Sequence, residues 1–184
     1  ISLEHDRLNI LTVARFGREK GIPRALCAVA DLGDQTSKIR YYIIGDGLEY
    51  AQAQQIVLDL GLNDTVFLLK AMDDPYSYMQ AVDVLMVPSY SEAAPMVICE
   101  AAALGTPILT TQTSSAVEMV QNTGFGWVCP NTQEGITQGI KQLLNASNEL
   151  AEKQKTLRAA IFDNTAARQS FLELINKYEK VDET

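Results

Sequence analysis

Two carboxylates, Glu92 and Glu100, stand eight positions apart, and Glu100 is the only charged residue between Ala93 and Thr111. Charged side chains are almost never fully buried unless they are paired, and an unpaired buried charge is either costly or becomes neutral. Glu100 must therefore reach solvent or receive a polar partner, which a ligand could supply. A solvated loop position for Glu92 and an exposed helix stripe for Glu100 are the simpler alternative.

Pro95 predicts that a helix begins between the two carboxylates. Proline suits the first helical position, because its missing N–H would have no acceptor there and its φ is already helical. We expect the helix to run from Pro95 to about Leu104, with Gly105 as the left-handed stop and Pro107 beyond it. The N–H groups of its first turn, at residues 94–97, are then candidate donors to an anion or an oxygen-rich ligand.

Arg15 and Lys20 form a second candidate group, five positions apart across a predicted strand-to-helix turn that contains Gly17. A guanidinium grips two phosphate oxygens and an ammonium acts as a mobile point charge, so the pair suits a diphosphate. With Arg18 and Arg24, four of the fifteen Lys and Arg fall within ten positions and predict a small positive pocket for a compact anion. The turn matches neither a Walker loop nor a dinucleotide-binding turn, and a solvated loop is the alternative.

The hydrophobic pattern predicts the elements that must position these groups. Apolar strand-like runs alternate with helix-like segments, which is typical of a parallel sheet covered on both faces. The fold class is therefore an α/β doubly wound, mainly parallel six-stranded sheet with helices on both faces and a helical tail from about residue 133. The predicted strands are Leu8–Ala14, Ile39–Ile44, Thr65–Leu69, Val82–Val87, Pro107–Thr110 and Gly126–Cys129.

Three polar loops follow predicted strands and are expected to meet. Ligands of doubly wound sheets bind at the carboxyl ends of the strands, where the strand order reverses. The loop with Arg15 and Lys20 follows the first strand, the turn Gly45–Gly47 follows the second, and Ser89–Glu92 follows the fourth. The sequence therefore predicts one ligand site at this edge.

Length and composition favour one domain over residues 1–184, with 47% hydrophobic residues to form its core. No apolar run approaches a membrane span and no signal peptide opens the chain, so we expect a cytoplasmic protein. Cys27, Cys99 and Cys129 are expected to be reduced core residues. Because the chain starts at Ile1 without an initiator Met, we expect an excised part of a longer protein.

Three kinds of chemistry are not expected. His5 and the three cysteines show no metal-ligand spacing, so no metal is expected. A single histidine makes a Ser-His-Asp or Cys-His system built from this chain alone an unfavoured interpretation. The net charge of −8 argues against nucleic-acid binding, which needs positive surfaces.

Five phrases in order resemble the carboxyl-terminal, nucleotide-sugar-binding half of GT-B retaining glycosyltransferases, and specifically family four. The resemblance runs from about Asn9 to Leu144, and the order and spacing of the motifs make it specific. The matching phrases are Ile10–Arg15 with Lys20-Gly21, Tyr42–Gly47, Leu60–Leu62 with Val66–Leu69, Tyr78–Asp83, and Glu92–Glu100 continuing to Ile108.

The resemblance implies a donor site. Arg15 and Lys20 would hold the diphosphate of a nucleotide-diphosphate sugar, Glu92 would face the sugar hydroxyls, and Glu100 would bind the ribose. An Arg/Lys pair stabilises the charge of the leaving diphosphate without a metal or other cofactor. The backbone that would approach the sugar and the phosphates is that of Ala93, Ala94, Pro95 and Met96.

Two further positions and the partners follow from the same resemblance. Gly45 is assigned to the donor-binding turn, and Lys70, after the third predicted strand, is expected near the base. The acceptor, a saccharide or glycolipid, would bind an amino-terminal domain that is absent here, so the isolated chain is expected to transfer no sugar. The complete enzyme could lie at the inner face of a membrane.

The chain departs from the family pattern at two places. Ala93 stands where the family usually has Gly, and Ser114-Ser115 stand where paired Gly often precede an acid, here Glu118. A methyl at position 93 could narrow the sugar pocket or restrict the backbone. The alternatives are therefore half of a GT-B-like nucleotide-sugar epimerase, or a binding module of the same fold without turnover.

Overall fold

The computed structural model describes residues 6–159. His5, the predicted helical stretch beyond Ala159 and the charged end at residues 180–184 lie outside the described residues. Within them, the chain alternates strand and helix from Leu8 onward.

One sheet of six strands forms the centre, and all five pairings between neighbouring strands are parallel. The strand order is β3-β2-β1-β4-β5-β6, so the order reverses between β1 and β4. The predicted strands are therefore present, with ends shifted by two residues at most. They are β1 (Leu8–Val13), β2 (Ile39–Ile44), β3 (Val66–Leu69), β4 (Val84–Val87), β5 (Ile108–Thr111) and β6 (Gly126–Cys129).

Between residues 6 and 159, six α-helices cover the two faces of the sheet. Neighbouring residues of a strand point to opposite faces, so Ile10 packs in the core beneath α1, α2 and α5, while Leu11 packs in the core beneath α3, α4 and α6. The helices are α1 (Ile22–Ala30), α2 (Tyr50–Asp59), α3 (Tyr76–Ala81), α4 (Met96–Ala103), α5 (Gln133–Asn145) and α6 (Ser147–Ala159). None of the helices between residues 6 and 159 has the length and apolar character needed to cross a membrane.

The three cysteines have free thiols but differ in environment. Cys129 at the end of β6 is buried, and burial raises the pKa of its thiol to about 11. Cys27 is half-buried. Cys99 is exposed on α4, so the prediction of a core position is wrong for this residue. Its neighbour Ile98 takes the buried position on the helix instead, because only one face of α4 meets the sheet.

The start of α1 packs directly against the end of β4. A 3₁₀ turn at Arg18–Lys20 leads into Gly21, which has a left-handed backbone with φ of 65°. A Cβ atom built on Gly21 would lie 2.2 Å from the carbonyl oxygen of Pro88. Glycine at this position therefore allows the loop after β1 to reach the loop after β4.

We expect Gly21→Ala to lower the free energy of unfolding by about 2–5 kcal/mol. The left-handed backbone costs an L-residue roughly 1–2 kcal/mol, and forcing a methyl into packed backbone costs roughly 1–3 kcal/mol. Chemical denaturation of the two proteins measures the difference. Gly17→Ala is the matched control, because Gly17 has an extended backbone and its Cβ would meet only the exposed side chain of Glu19. Equal stability of the two variants would contradict this account of Gly21.

Candidate functional site

A cavity of about 230 Å³ opens between the carboxyl ends of β1 and β4. This is the point at which the strand order reverses, where open α/β sheets bind their ligands. Arg15 and Lys20 reach it from the loop after β1, and Ser89 and Glu92 reach it from the loop after β4. The structure therefore brings together the basic pair and the first carboxylate that the sequence singled out.

Lys20 and Glu92 contact each other across this cavity. The Lys20 Nζ lies 2.6 Å from Glu92 Oε1, and the two side chains are only 21% and 13% exposed. The hydroxyl of Ser89 donates to the same oxygen at 2.8 Å. Charge-assisted hydrogen bonds of this length are about twice as strong as neutral ones. The site without ligand thus balances its lysine with its own carboxylate.

Arg15, unlike Lys20, is exposed to solvent and has only a distant counter-ion. Its side chain is 86% exposed, and its closest carboxylate is that of Glu19, at 3.8 Å. An exposed pair at this distance contributes little, because solvent screens the charges and both side chains lose freedom. The guanidinium can therefore turn toward a ligand in the cavity at small cost.

The start of α4 supplies backbone donors to the same cavity, which Pro95, Met96 and Val97 line. The predicted helical position of Pro95 is wrong: α4 begins at Met96, and Pro95 is the residue before it, with extended backbone (φ −70°, ψ 112°). Proline fixes φ but leaves ψ to its surroundings, and the residue that caps a helix has an extended ψ. Helix geometry then leaves the N–H groups of Met96 and Val97 without a helical acceptor.

A second cavity, of about 450 Å³, continues from the first. Both are lined by Val13, Ala14 and Arg15, so the two form one cleft along the carboxyl edge of β1. The second cavity also reaches the ends of β2 and β3, through Gly45 and Met72 among others. Its walls are mostly apolar apart from Arg15 and Asp46, whereas the first cavity is lined by Arg15, Lys20 and Glu92.

Gly45 lies where two backbones nearly touch. A Cβ at this position would be 1.9 Å from the carbonyl oxygen of Ala14. The N–H of Gly45 donates to Leu69 O, and the N–H of Ala14 donates to Ile44 O. The loops after β1, β2 and β3 are thereby held side by side at the wall of the second cavity.

Lys70 does not line either cavity. Its ammonium lies 3.4 Å from Asp46 Oδ1 and 3.7 Å from the centre of the Tyr50 ring. The N–H of Gly47 donates to Asp46, and this bond, with the nearby Lys70, lowers the pKa of the Asp46 carboxyl. Asp46 lines the second cavity, so Lys70 is separated from this cavity by the Asp46 side chain that it contacts.

Ala93, Ala94 and Glu100 stand outside the lining of both cavities. Ala93 and Ala94 are exposed in the loop between Glu92 and α4, next to the first cavity. Glu100 is half-buried in α4, and across residues 6–159 its carboxylate makes no hydrogen bond or ion pair with another residue. Within the described structure, Glu100 thus reaches solvent rather than a protein partner.

Ser114 and Ser115, one departure from the family pattern, contact the residue that precedes Ala93, the other departure. Ser114 Oγ donates to the carbonyl oxygen of Glu92 at 2.8 Å, and Ser115 Oγ approaches the same oxygen at 3.4 Å. This carbonyl belongs to the peptide bond that joins Glu92 to Ala93. Ala93 has an ordinary negative φ, so the methyl introduces no left-handed strain. The serines therefore hold the backbone just before the substituted position.

The predicted four-residue positive pocket is only half correct. Arg15 and Lys20 line the first cavity, but Arg18 lines a separate surface cavity beside Glu19, and Arg24 is buried behind the loop after β4. Residue spacing put the four side chains in one segment. The turn at Arg18–Lys20 and the start of α1 then send them in different directions.

Two lining residues were not identified from the sequence. Met72 and Pro75 form part of the wall of the second cavity. Their position after β3 is the signal that could have found them, because all loops after parallel strands leave the same edge. Within residues 6–159, no three His, Cys, Asp or Glu side chains come together as a metal site would require. The absence of a metal requirement stays a prediction.

The parallel sheet and its cleft define a doubly wound α/β domain with a ligand site at the switch point. The model of the family "Glycosyl transferases group 1" matches residues 2–180, and the chain belongs to this family.

Curated relatives agree with this assignment. The amylovoran biosynthesis glycosyltransferase AmsK of Erwinia amylovora is 31% identical over 148 residues, which cover 76% of this chain and 36% of the relative. The lipopolysaccharide glucosyltransferase WaaG of Escherichia coli (strain K12) is 27% identical over 147 residues, with 78% and 39% covered. The chain therefore spans well under half the length of these two relatives.

Solved structures show the same fold. A WaaG crystal structure superposes with a TM-score of 0.76 at 23% identity, over 84% of this chain and 42% of that one. Anabaena Alr3699/HepE, crystallised with UDP, superposes with a TM-score of 0.78 at 21% identity, over 94% and 49%. The sheet and its flanking helices form the Rossmann-like fold of GT-B glycosyltransferases.

A double-mutant cycle on the Lys20–Glu92 pair should give a coupling energy of about 1–2 kcal/mol in unfolding free energy, because both charges are mostly buried and hydrogen-bonded. Lys20→Ala, Glu92→Ala and the double variant, measured by chemical denaturation, supply the cycle. The exposed pair Arg15–Glu19 serves as control, with an expected coupling below about 0.5 kcal/mol. Equal coupling in the two cycles would rule out a special strength for the pair in the cavity.

Proposed function

We propose that this chain is the donor-binding domain of a glycosyltransferase that moves a sugar from a nucleotide-diphosphate sugar to a saccharide or lipid-linked acceptor, with retention of configuration. One observation carries the proposal: Arg15, Lys20, Glu92 and the start of α4 line a single cavity at the switch point of the sheet. That combination of two cations, one carboxylate and backbone N–H groups suits a sugar diphosphate.

The diphosphate would lie in the first cavity, between Arg15, Lys20 and the N–H groups of Met96 and Val97. Lys20 would exchange the Glu92 oxygen for a phosphate oxygen, so one charge-assisted bond replaces another. The positive end of the helix dipole favours the same charge. These fixed charges would stabilise the diphosphate as it leaves, and no metal is needed for that role.

The nucleoside would occupy the second cavity, which begins where the first ends. Its apolar wall at Met72 and Pro75 suits the face of a base, and Gly45 lets the backbone approach closely. Lys70, behind Asp46, would stand near the edge of the base. The ribose would bridge toward α4, where Glu100 has a carboxylate without a protein partner among the described residues.

The sugar would face Glu92 and the exposed backbone at Ala93 and Ala94. Release of Glu92 from Lys20 would leave its carboxylate able to accept hydrogen bonds from sugar hydroxyls. In the transfer, the bond between the anomeric carbon and the diphosphate oxygen breaks and a bond to the acceptor oxygen forms on the same face. The acceptor proton would pass to the departing diphosphate, which fits a site that lacks a histidine among residues 6–159.

The complete protein would contain an amino-terminal domain that binds the acceptor across the cleft. The relatives' names, amylovoran biosynthesis and lipopolysaccharide glucosyltransferase, support a polysaccharide or glycolipid product. The chain would act as a single nucleotide-sugar-binding domain over residues 1–184. A cytoplasmic position, with the complete enzyme at the inner face of the membrane, would place it beside nucleotide sugars and lipid-linked acceptors.

A binding module without turnover is the second candidate. Ala93 favours it, because this residue follows the carboxylate proposed to face the sugar and adds a methyl there. The hydrogen bonds from Ser114 and Ser115 to Glu92 hold this backbone in one position. Both candidates share the donor site, so binding tests the site and a transfer assay separates the functions.

Titration of the chain with UDP, GDP and ADP should identify one nucleotide that binds, and Arg15→Ala with Lys20→Ala should weaken that binding on the order of a hundredfold. Each charge-assisted contact contributes roughly 1.5–3 kcal/mol, and 1.4 kcal/mol is tenfold in affinity. Arg18→Ala with Lys155→Ala is the control, since it removes the same charge from exposed positions outside the cleft. Unchanged binding in the first variant would refute the diphosphate assignment.

The 184-residue chain alone should hydrolyse or transfer no sugar from UDP-, GDP- or ADP-glucose, because the acceptor and its domain are needed to complete the site. Chromatography of the radiolabelled donor measures any product. A protein carrying an amino-terminal GT-B domain ahead of this chain should restore transfer if the proposed function is correct. Robust transfer by the isolated chain would contradict the need for a second domain.

A further inference from the structure

Arg24 is a buried guanidinium directly behind the loop that carries Glu92. It belongs to the first turn of α1 and is only 7% exposed. Its Nη2 donates to Pro88 O at 2.8 Å and to Ser89 O at 2.9 Å, and its Nε donates to Pro88 O at 3.2 Å. The carbonyl groups of two consecutive residues after β4 are thus held by one side chain.

Asn131 extends this contact to the two neighbouring strands. It follows β6, and its Oδ1 accepts from Arg24 Nη2 at 2.6 Å, while its backbone oxygen accepts from Nη1 at 3.2 Å. The Nδ2 of Asn131 donates to Tyr90 O at 2.9 Å and to Gln112 O at 3.0 Å. Arg24 and Asn131 together join the carboxyl ends of β4, β5 and β6.

Tyr90 completes the arrangement. Its ring covers the Arg24 guanidinium at 3.7 Å, and its N–H donates to Glu19 O at 2.8 Å. The three consecutive carbonyl groups of Pro88, Ser89 and Tyr90 all accept hydrogen bonds from Arg24 or Asn131. Each peptide group of the segment that leads to Ser91 and Glu92 is therefore oriented by a hydrogen bond.

The side-chain types fit this task. Burying a charge is costly, and burial lowers the pKa of Arg24 from its ordinary value. A guanidinium stays protonated in proteins and spreads its donors in a plane, so it can serve several carbonyl groups at once, which an ammonium cannot do with the same geometry. An asparagine can accept on one side and donate on the other. An apolar pair would fill the same space without orienting the loop.

We propose that Arg24 and Asn131 are positioning residues that hold the segment Pro88–Glu92 so that the Glu92 carboxylate faces the donor sugar. Neither residue lines the cavity, so they act through the backbone of this segment. The part of the proposal that concerns the sugar rests on the proposed function, whereas the part that concerns the segment rests on geometry alone. Arg15 and Lys20, which are proposed to bind the phosphates, stand on the loop after β1, and neither side chain is hydrogen-bonded to Arg24 or Asn131.

Amide hydrogen exchange tests the geometric part. In Arg24→Met, exchange in peptides covering residues 89–94 should rise by about tenfold or more, which corresponds to the loss of one charge-assisted hydrogen bond. In Asn131→Asp, exchange in the same peptides should rise by about tenfold, because the two neutral hydrogen bonds from Nδ2 to Tyr90 O and Gln112 O are lost together. Exchange in β1 and β2 should stay within about twofold. Arg18→Met is the matched control, because Arg18 is an exposed arginine of the same segment. No change at residues 89–94, or an equal rise in every peptide, would overturn the proposal.

Asn131→Asp keeps the experiment decisive if Arg24→Met does not fold. The aspartate retains the oxygen that accepts from Arg24 but replaces the amide that donates to Tyr90 O and Gln112 O. It therefore loosens the segment from the β5 and β6 side while leaving the buried arginine with its acceptors. Unchanged exchange at residues 89–94 in a folded Asn131→Asp protein would overturn the role of Asn131.

Binding tests the part that concerns the sugar. For whichever of UDP, GDP and ADP binds, the affinity of Asn131→Asp for the nucleotide itself should stay within about threefold, while its affinity for the glucose conjugate should fall about tenfold. An equal loss for both ligands would overturn the sugar-specific role. If the unchanged chain binds none of the three nucleotides, the proposed function fails, and the exchange result still decides whether Arg24 and Asn131 position the segment.

Discussion

Close approach of one backbone to another at the carboxyl edge of the sheet is the constraint on which the site depends. Gly45 meets the carbonyl of Ala14, and Gly21 meets the carbonyl of Pro88, at distances that leave no room for a Cβ atom. These two contacts bring the loops after β2 and β4 against the loop after β1. The first cavity and the second cavity lie on either side of that central loop, which is why Arg15 lines both.

The strand pattern and the site edge could be predicted from the sequence, because apolar alternation is a local property and parallel strands send all their loops to one edge. The directions in which individual side chains point could not be predicted in this way. Arg24 is only four positions from Lys20, yet it points behind the next loop rather than into the cavity. Pro95 has the φ of a helix but the ψ of a cap, which only the packing of α4 decides. Met72 gives no signal of its own until the ends of β1, β2 and β3 are side by side.

The ion pair between Lys20 and Glu92 balances the charges of these two side chains in the first cavity. A lysine without a counter-ion in this mostly buried position would be unfavourable. A glutamate with the same isolation would face the same cost. Their pairing, with the Ser89 hydroxyl on the same oxygen, reduces both costs. In the proposed function, a ligand would have to offer better partners to each side chain. The affinity of the proposed site would therefore reflect the difference between the contacts made with the ligand and the contacts among Lys20, Glu92 and Ser89.

Ser114 and Ser115 hold the carbonyl of Glu92 from the loop after β5, so the loops after β4 and β5 form one connected surface at this edge. A change of side chain at position 93 consequently affects the loop after β5 through the serines, as well as acting through its own side chain. If the proposed sugar site is correct, directed evolution of sugar preference should therefore randomise positions 93, 114 and 115 in a single library. Scanning them one at a time would sample mostly combinations in which one loop no longer fits the other.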